Sequence, residues 1–355
     1  MKGLELSRRF FFEAVQPVLE RRFPELEYAA ALIGYGSEVL GLDDEMSQDH
    51  EWGPRVQLFT DQLDRAPEIE RTLAEELPRT FAGFPTNFGP TGEPGTLWMT
   101  ATDSGPVAHR VQTFKLADYL RTRIGVDPRE GFTAADWLVT PSQQLLELTA
   151  GDVFADPIGE LTRVRRLLAW YPHDVWLLAM AGHWRRIAQF EHLHGATLIR
   201  RDELGSRLLA AALVRDLMFL GFLQHRRYAP YPKWFGAAYA ELNLPESEAL
   251  VAALSAGGSD ASEDALVTAY EIVAGRHNEL AVTEEVEATA RQFWGRPIRV
   301  ISADRFVEAL RRAISDPDLK AVDHDSGGFD ALSDNTQLLS NPLLWRQLVG
   351  LYDRA

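Results

Sequence analysis

The chain has 355 residues, 46% apolar and 25% charged, and its 36 Lys+Arg against 52 Asp+Glu give a net charge of -16. That length exceeds one average domain, and the composition is that of an ordinary globular protein. The acidic balance argues against nucleic-acid partners, which need cationic surface, and tolerates a cationic small molecule; with no cysteine, disulfides, thiolate nucleophiles and thiolate metal sites are excluded.

Residues 7–22 space Phe11, Ala14, Val15, Val18 and Leu19 as a helix does, with Pro17 as a kink. Charges run through every turn of this segment, so no leader is read. The longest apolar run, LLAAALV at 208–214, is too short to span a membrane, and the expectation is a cytoplasmic protein without a membrane partner. LEYAAALIGYG reads as a short strand halted at Gly34 and Gly36, and RVQLF at 55–59 as a second strand. Residues 61–77 return to helical spacing. TLWMTAT (96–102) and VAHRVQTF (107–114) flank the turn signal DSGP and read as an antiparallel hairpin. KLADYLRTRIG follows as a helix closed by Gly125.

Beyond about residue 130 the patterns are long and helical, and only IRVIS at 298–302 reads as a strand. The fold class expected is α+β, a small α/β domain over residues 1–130 and a larger all-helical one over 131–355. In DELGSRLLAAALVRDLMFLGFLQHR, the positions Leu204, Leu208, Ala211, Ala212, Met218 and Phe222 are expected as the buried stripe. Arg207, Arg215 and Asp216 interrupt that helix, either as a buried ion pair or as charges facing a cleft.

The stretch ALIGYGSEVLGLDDEMSQDHEWGP, residues 31–54, is the one that suggests chemistry. A strand ending in Gly36-Ser37, followed by a helical turn, would aim backbone N–H groups at a phosphate. If residues 49–52 are extended, Asp49 and Glu51 share one face, and His50 and Trp52 share the other with Val56 and Leu58. Two carboxylates that close repel, and a divalent cation between them is the simplest remedy. Asp43, Asp44 and Glu45 read as a solvated turn.

GYGSEVLGLDDEMSQDHEW resembles the nucleotidyltransferase signature of the polymerase-β-like superfamily: Gly-Ser, a spacer, then acidic-x-acidic. The wider chain is similar to a bacterial family, domain of unknown function 4037, through GSEVLGLDDEMSQDHEWGPR, TPSQQLLELTAGDVFADPIGELTRVRRLLAWYPHDVWL, DELGSRLLAAALVRDLM, RRYAPYPKWFG and GRHNEL. The resemblance implies a nucleotidyltransferase-type domain with a mixed sheet, followed by a helical domain. It assigns Gly36 and Ser37 to the triphosphate, and Asp49 and Glu51 to Mg²⁺ or Mn²⁺ and to catalysis; Arg110 is a further nucleotide-binding candidate. Active members add a third carboxylate from a later strand, and Gln112 stands where it is expected. In the similar antibiotic-modifying enzymes the general base comes from the helical domain, which is the ground for Asp216.

In RRYAPYPKWFG, Lys233 is a candidate for the phosphates and Tyr228, Tyr231 or Trp234 for stacking on a base; the other reading is a rigid interhelical connection. His183, Glu191, His192 and His194 match no metal spacing and read as core or surface groups. FGPTGEPG at 88–95 reads as a loop near the site mouth. The leading expectation is an Mg²⁺-dependent enzyme moving a nucleotidyl group from a nucleoside triphosphate (ATP or another) to a hydroxyl of a small-molecule or protein acceptor. The alternatives are a nucleotide-binding regulatory or partner protein without turnover, favoured by Gln112, and the nucleotidyltransferase half of a toxin–antitoxin pair.

Overall fold

The computed structural model describes residues 1–352. The chain opens with α1 (Gly3–Phe10) and α2 (Gln16–Arg22), joined by a π-helical turn over Phe11–Val15. Pro17 explains the irregularity. It has no N–H for the i−4 ladder, and its ring would crowd the preceding turn. Next come β1 (Ala29–Leu32) and β2 (Arg55–Phe59), then α3 (Ala66–Glu76), β3 (Arg110–Phe114) and α4 (Leu116–Ile124), which Gly125 closes at φ 77°. The fourth strand of the sheet, β4 (Asp152–Ala155), arrives much later.

The strand order is β3-β2-β1-β4, with β2 and β3 parallel and the other two pairs antiparallel, so the sheet is mixed. The expected hairpin over 96–114 does not form. Leu97–Met99 pairs antiparallel with Phe88–Pro90, which makes the first three residues of the expected 88–95 loop a strand, and Arg110–Phe114 lies beside Arg55–Phe59 instead. The turn signal at 103–106 marks a bend between two different sheets; a local dipeptide carries no information about which strand lies across from it.

Period-two alternation sorts the faces. Ala30, Leu32, Val56, Leu58 and Val111 join Phe10, Phe11, Leu19 and Leu73 in one apolar core under α1, α2 and α3. The opposite face is built from three in-register pairs, Arg55–Arg110, Gln57–Gln112 and Phe59–Phe114. Tyr119 of α4 lies 5.2 Å from both phenylalanine rings and so covers that end of the face. The arginine end is where the site must be sought.

The chain forms two compact units, one of residues 1–132 and 144–169, the other of 133–143 and 170–355. The division is therefore not a single cut near residue 130. The chain leaves the first unit, returns for the segment that supplies β4, and leaves again, because β1 needs a partner on its second edge.

The helices that follow α4 are α5 (Ala134–Val139), α6 (Ser142–Thr149), α7 (Glu160–Leu167), α8 (His173–Arg200), α9 (Glu203–Gln224), α10 (Pro232–Glu241), α11 (Ser247–Ser255), α12 (Asp260–Glu279) and α13 (Asp304–Ala313), and α8, α9, α12 and α13 dominate the second unit. It is not purely helical: Arg291–Gln292 pairs with Arg299–Val300. In α9 the expected stripe is displaced. Of the expected positions Phe222 is buried, Leu204, Leu208 and Ala211 are exposed, and Ala212 and Met218 lie between; the buried line runs through Ser206, Ala210, Leu213, Leu217 and Leu220. A helix apolar on most sides offers more than one stripe of the right period, and spacing alone does not choose. Among the described residues, no helix is long and apolar enough to cross a membrane.

Candidate functional site

Residues 37–41 form one turn, not a helix, held by Leu40 N–H to Gly36 O at 3.4 Å and Leu42 N–H to Ser37 O at 3.0 Å. Gly36 itself is indispensable to the turn. Its φ is +139°, and a Cβ there would sit 2.6 Å from Glu38 Oε2 and 2.7 Å from Arg55 Nη2. Gly34, at φ +88°, is as constrained, since a Cβ would come within 2.4 Å of the Tyr119 hydroxyl.

Between these glycines Tyr35 is the focus of three arginines. The guanidinium carbons of Arg55 and Arg123 lie 5.3 and 5.0 Å from its ring centroid, and Arg110 Nη2 donates to its hydroxyl at 3.1 Å. Each arginine has one carboxylate: Arg55 pairs with Glu38, Arg110 with Glu51, and Arg123 with Glu147 at 3.4 Å. The pairs differ in depth. Glu38 is 1% exposed and its pair is part of the core, whereas Arg110 and Glu51 are partly open and Tyr35 is 40% exposed. Arg55 Nε and Arg110 Nε have no hydrogen-bond partner. Both atoms are buried, so the donor excess lies inside the cluster, and the side accessible to a partner is the Tyr35 hydroxyl and the Arg110–Glu51 pair.

The expected strand over residues 49–52 is absent. Glu45–Gln48 is a 3-10 turn capped by Asp44, Asp49 ends it, and Glu51 sits in the left-handed region at φ 51°. Asp49 and Glu51 are consequently turned to different partners. Asp49, 64% exposed, binds the backbone N–H of His50 at 2.8 Å and its ring Nδ1 at 3.0 Å. Slight burial would push its carboxyl up, but these His50 contacts outweigh that and hold it below the usual range. Glu51 accepts from Leu97 N–H at 3.0 Å, from the Tyr35 hydroxyl at 3.3 Å and from Arg110. His50 is exposed; Trp52 alone of that pair turns inward, where its indole donates to Asp43 at 3.1 Å. Asp43 is thus no solvated turn residue. It is buried, and it also accepts from Gly3 N–H at 2.8 Å.

These residues do not fit a divalent cation as they stand. Both oxygens of Glu51 are already engaged, and Gln112 is an exposed amide. No group of three or more His, Asp or Glu able to hold a metal is assembled among the described residues. Polar though this end of the sheet is, its chemistry is that of arginine. Sequence reasoning missed Tyr35, Glu38, Arg55, Arg123 and Glu147. One signal was there to be used: RVQLF at 55–59 and RVQTF at 110–114 are near-copies, as two strands facing the same two environments should be.

The remaining candidates lie in the second unit. Asp216 is fully buried, and its oxygens are taken by His183 Nδ1 at 3.0 Å and by Arg186 Nε at 2.9 and 3.1 Å. Asp216 is thus in a buried pair, but with Arg186 of α8; Arg207 is exposed and pairs with Glu203, and Arg215 stands near Asp334. Burial pushes the His183 ring down, against the pull of Asp216. Lys233 is exposed at the start of α10 (Pro232–Glu241), its Nζ 4.9 Å from the Trp234 ring centroid. Tyr228 is buried against Trp170 and Tyr171, at 4.9 and 5.1 Å. Glu191 accepts three backbone N–H groups, from Ile301, Ser302 and Ala303, and His194 meets Ser206 at 3.2 Å.

Residues 137–235 match the family model described as Domain of unknown function (DUF4037), a segment that runs from the end of α5 (Ala134–Val139) through α9 into α10. No curated protein matches the chain.

Proposed function

We propose that the first unit binds the phosphate tail of a nucleoside triphosphate at the arginine end of its sheet, as a nucleotide-binding regulatory or partner protein. One observation carries this reading: three guanidiniums converge on a half-exposed tyrosine beside a turn that only glycine can make. Arg110 is the exchangeable contact. Its pair with Glu51 is partly open to solvent, so a phosphate oxygen that displaces Glu51 replaces one charge-assisted hydrogen bond with another. Arg123 adds a second partly exposed cation, and Tyr35 donates its hydroxyl. The buried Arg55–Glu38 pair sets the scaffold and stays closed.

A second reading, Mg²⁺-dependent nucleotidyl transfer to a hydroxyl acceptor, rests on Asp49, whose exposed, ionised carboxylate is bound only to its neighbour. Thermal shift with ATP, GTP, CTP and UTP, each in Mg²⁺ or in EDTA, separates the two. Stabilisation that persists in EDTA and drops at least tenfold in apparent affinity in Arg110→Ala supports arginine-based binding. Stabilisation seen only with Mg²⁺, lost in Asp49→Asn and accompanied by pyrophosphate release, supports transfer. No response to any triphosphate refutes both.

A further inference from the structure

The second unit contains a cavity that the reading above does not use. Its volume is about 320 Å³. That is roughly twice the ~150 Å³ known to admit benzene, and it falls within the ~300–1,000 Å³ typical of small-molecule sites. One wall is α9, through Val214, Met218 and Phe219; another is the APYPKWF stretch, through Pro230, Pro232 and Phe235. Two prolines fix the backbone of that wall, so the cavity is largely preformed.

The polar groups lie among Ser142, Arg215, Asp330 and Asp334. Arg215 is already engaged: its guanidinium carbon lies 4.7 Å from the Phe219 ring centroid, Nη2 donates to the Asp330 carbonyl at 3.2 Å, and Nε stands 3.7 Å from Asp334. The Asp330 carboxylate is less well supplied. Its two oxygens share the Ser142 N–H, at 3.2 and 3.4 Å, and the Ser142 side chain also favours its ionised form. A carboxylate offers about four acceptor sites, so sites remain for a ligand. Two acids against one base make this end net acidic, in a chain whose whole field is negative.

We propose that this cavity binds an amphipathic organic amine, its ring system against Val214, Met218, Phe219 and Phe235 and its ammonium group on Asp330 and Asp334. The aromatic walls suit the flank of a cation as well as a ring. The state of Asp330 agrees. Loss of water raises its carboxyl to about 6, although the Ser142 N–H and Arg215 both favour the ionised form. It is therefore mostly ionised at neutral pH and becomes neutral in mild acid, so amine affinity declines as the pH falls through that value. The charged or titratable groups that line cavities with Asp330 are Arg215, Asp334, Tyr231, Tyr171, Tyr228, His183 and Arg227; burial keeps Tyr171 and Tyr228 protonated and pushes the His183 ring down.

Three probes on one scaffold test the proposal by calorimetry on the full chain: tryptamine, the neutral 3-ethylindole and the anionic indole-3-propionate. Tryptamine is expected to bind at least tenfold more tightly than either of the others. Asp330→Asn should remove most of that preference, and Val214→Trp, which fills the cavity, should abolish binding. If Asp330→Asn does not fold, the exposed Asp334→Asn and a titration from pH 7.5 to pH 5 provide the same reading, a several-fold loss in each. The proposal is overturned by equal or tighter binding of indole-3-propionate, by tryptamine binding that survives Val214→Trp, or by no binding of any probe at millimolar concentration.

Discussion

Two clusters of charge invite comparison, one at the arginine end of the first unit's sheet and one along α8 of the second. Along α8, Asp216 gives both oxygens to His183 and Arg186, and Glu191 is filled by three backbone N–H groups, all under cover. At the sheet, the Arg110–Glu51 pair and Tyr35 are partly open, and two guanidinium N–H groups find no acceptor. Both clusters gather titratable groups at close quarters. Only the sheet cluster presents charged and hydroxyl groups partly open to solvent, and it is this access, not the density of charge, that favours it as the proposed place for a ligand over the closed pairs that hold helices together.

Mutation should expose the difference most plainly in stability. Asp216→Ala strands Arg186 without its buried partner and is expected to cost about 3–5 kcal/mol in urea unfolding. Glu51→Ala removes an acid that is less deeply buried than Asp216 and should cost less, about 1–3 kcal/mol. A result in which the two cost the same would erase the contrast.

The second unit should also show its buried chemistry in its response to acid. Burial lowers the His277 ring from its ordinary value of 6.5 to about 4. The unfolded chain then binds a proton that the folded one refuses. The neutral ring's contribution is intact above pH 6.5 and is lost progressively from there down to about pH 4, to a total of about 3 kcal/mol. His277→Gln should flatten that part of the stability–pH curve. An unchanged slope would mean that the ring is charged when folded.

Smallest in stability is the effect expected at Asp49. Asp49→Asn touches an exposed group bound only to His50, so unfolding should shift by less than ~0.5 kcal/mol. Under arginine-based binding, triphosphate affinity in EDTA should be unchanged as well. A tenfold loss would restore the acid to the site.

How much of this was legible in the sequence follows from the range of each interaction. The β1 and β2 strands, α4 with its Gly125 stop, and the long helices were written in local period and local turn chemistry. The pairing of Arg110–Phe114 with Arg55–Phe59 was not, because parallel register joins segments 55 residues apart and the nearer turn signal pointed elsewhere. Gly36 was singled out for close approach to a phosphate; what the structure shows is a positive φ and the side chains of Glu38 and Arg55 where a Cβ would stand. Arg123 and Glu147 reach the site from α4 and from α6 (Ser142–Thr149), and no spacing rule connects either to Tyr35. Asp49 and Glu51 were read as neighbours on a strand; a left-handed residue and a 3-10 turn separate their side chains.

The most direct test is triphosphate affinity in Glu51→Gln against the unaltered protein, measured in EDTA and again in Mg²⁺. If Glu51 competes with phosphate for Arg110, removing its charge should tighten binding several-fold, equally with and without the metal. Weaker binding in the variant, with the loss confined to the Mg²⁺ arm, would show that the carboxylate holds the nucleotide through a cation and would contradict the account.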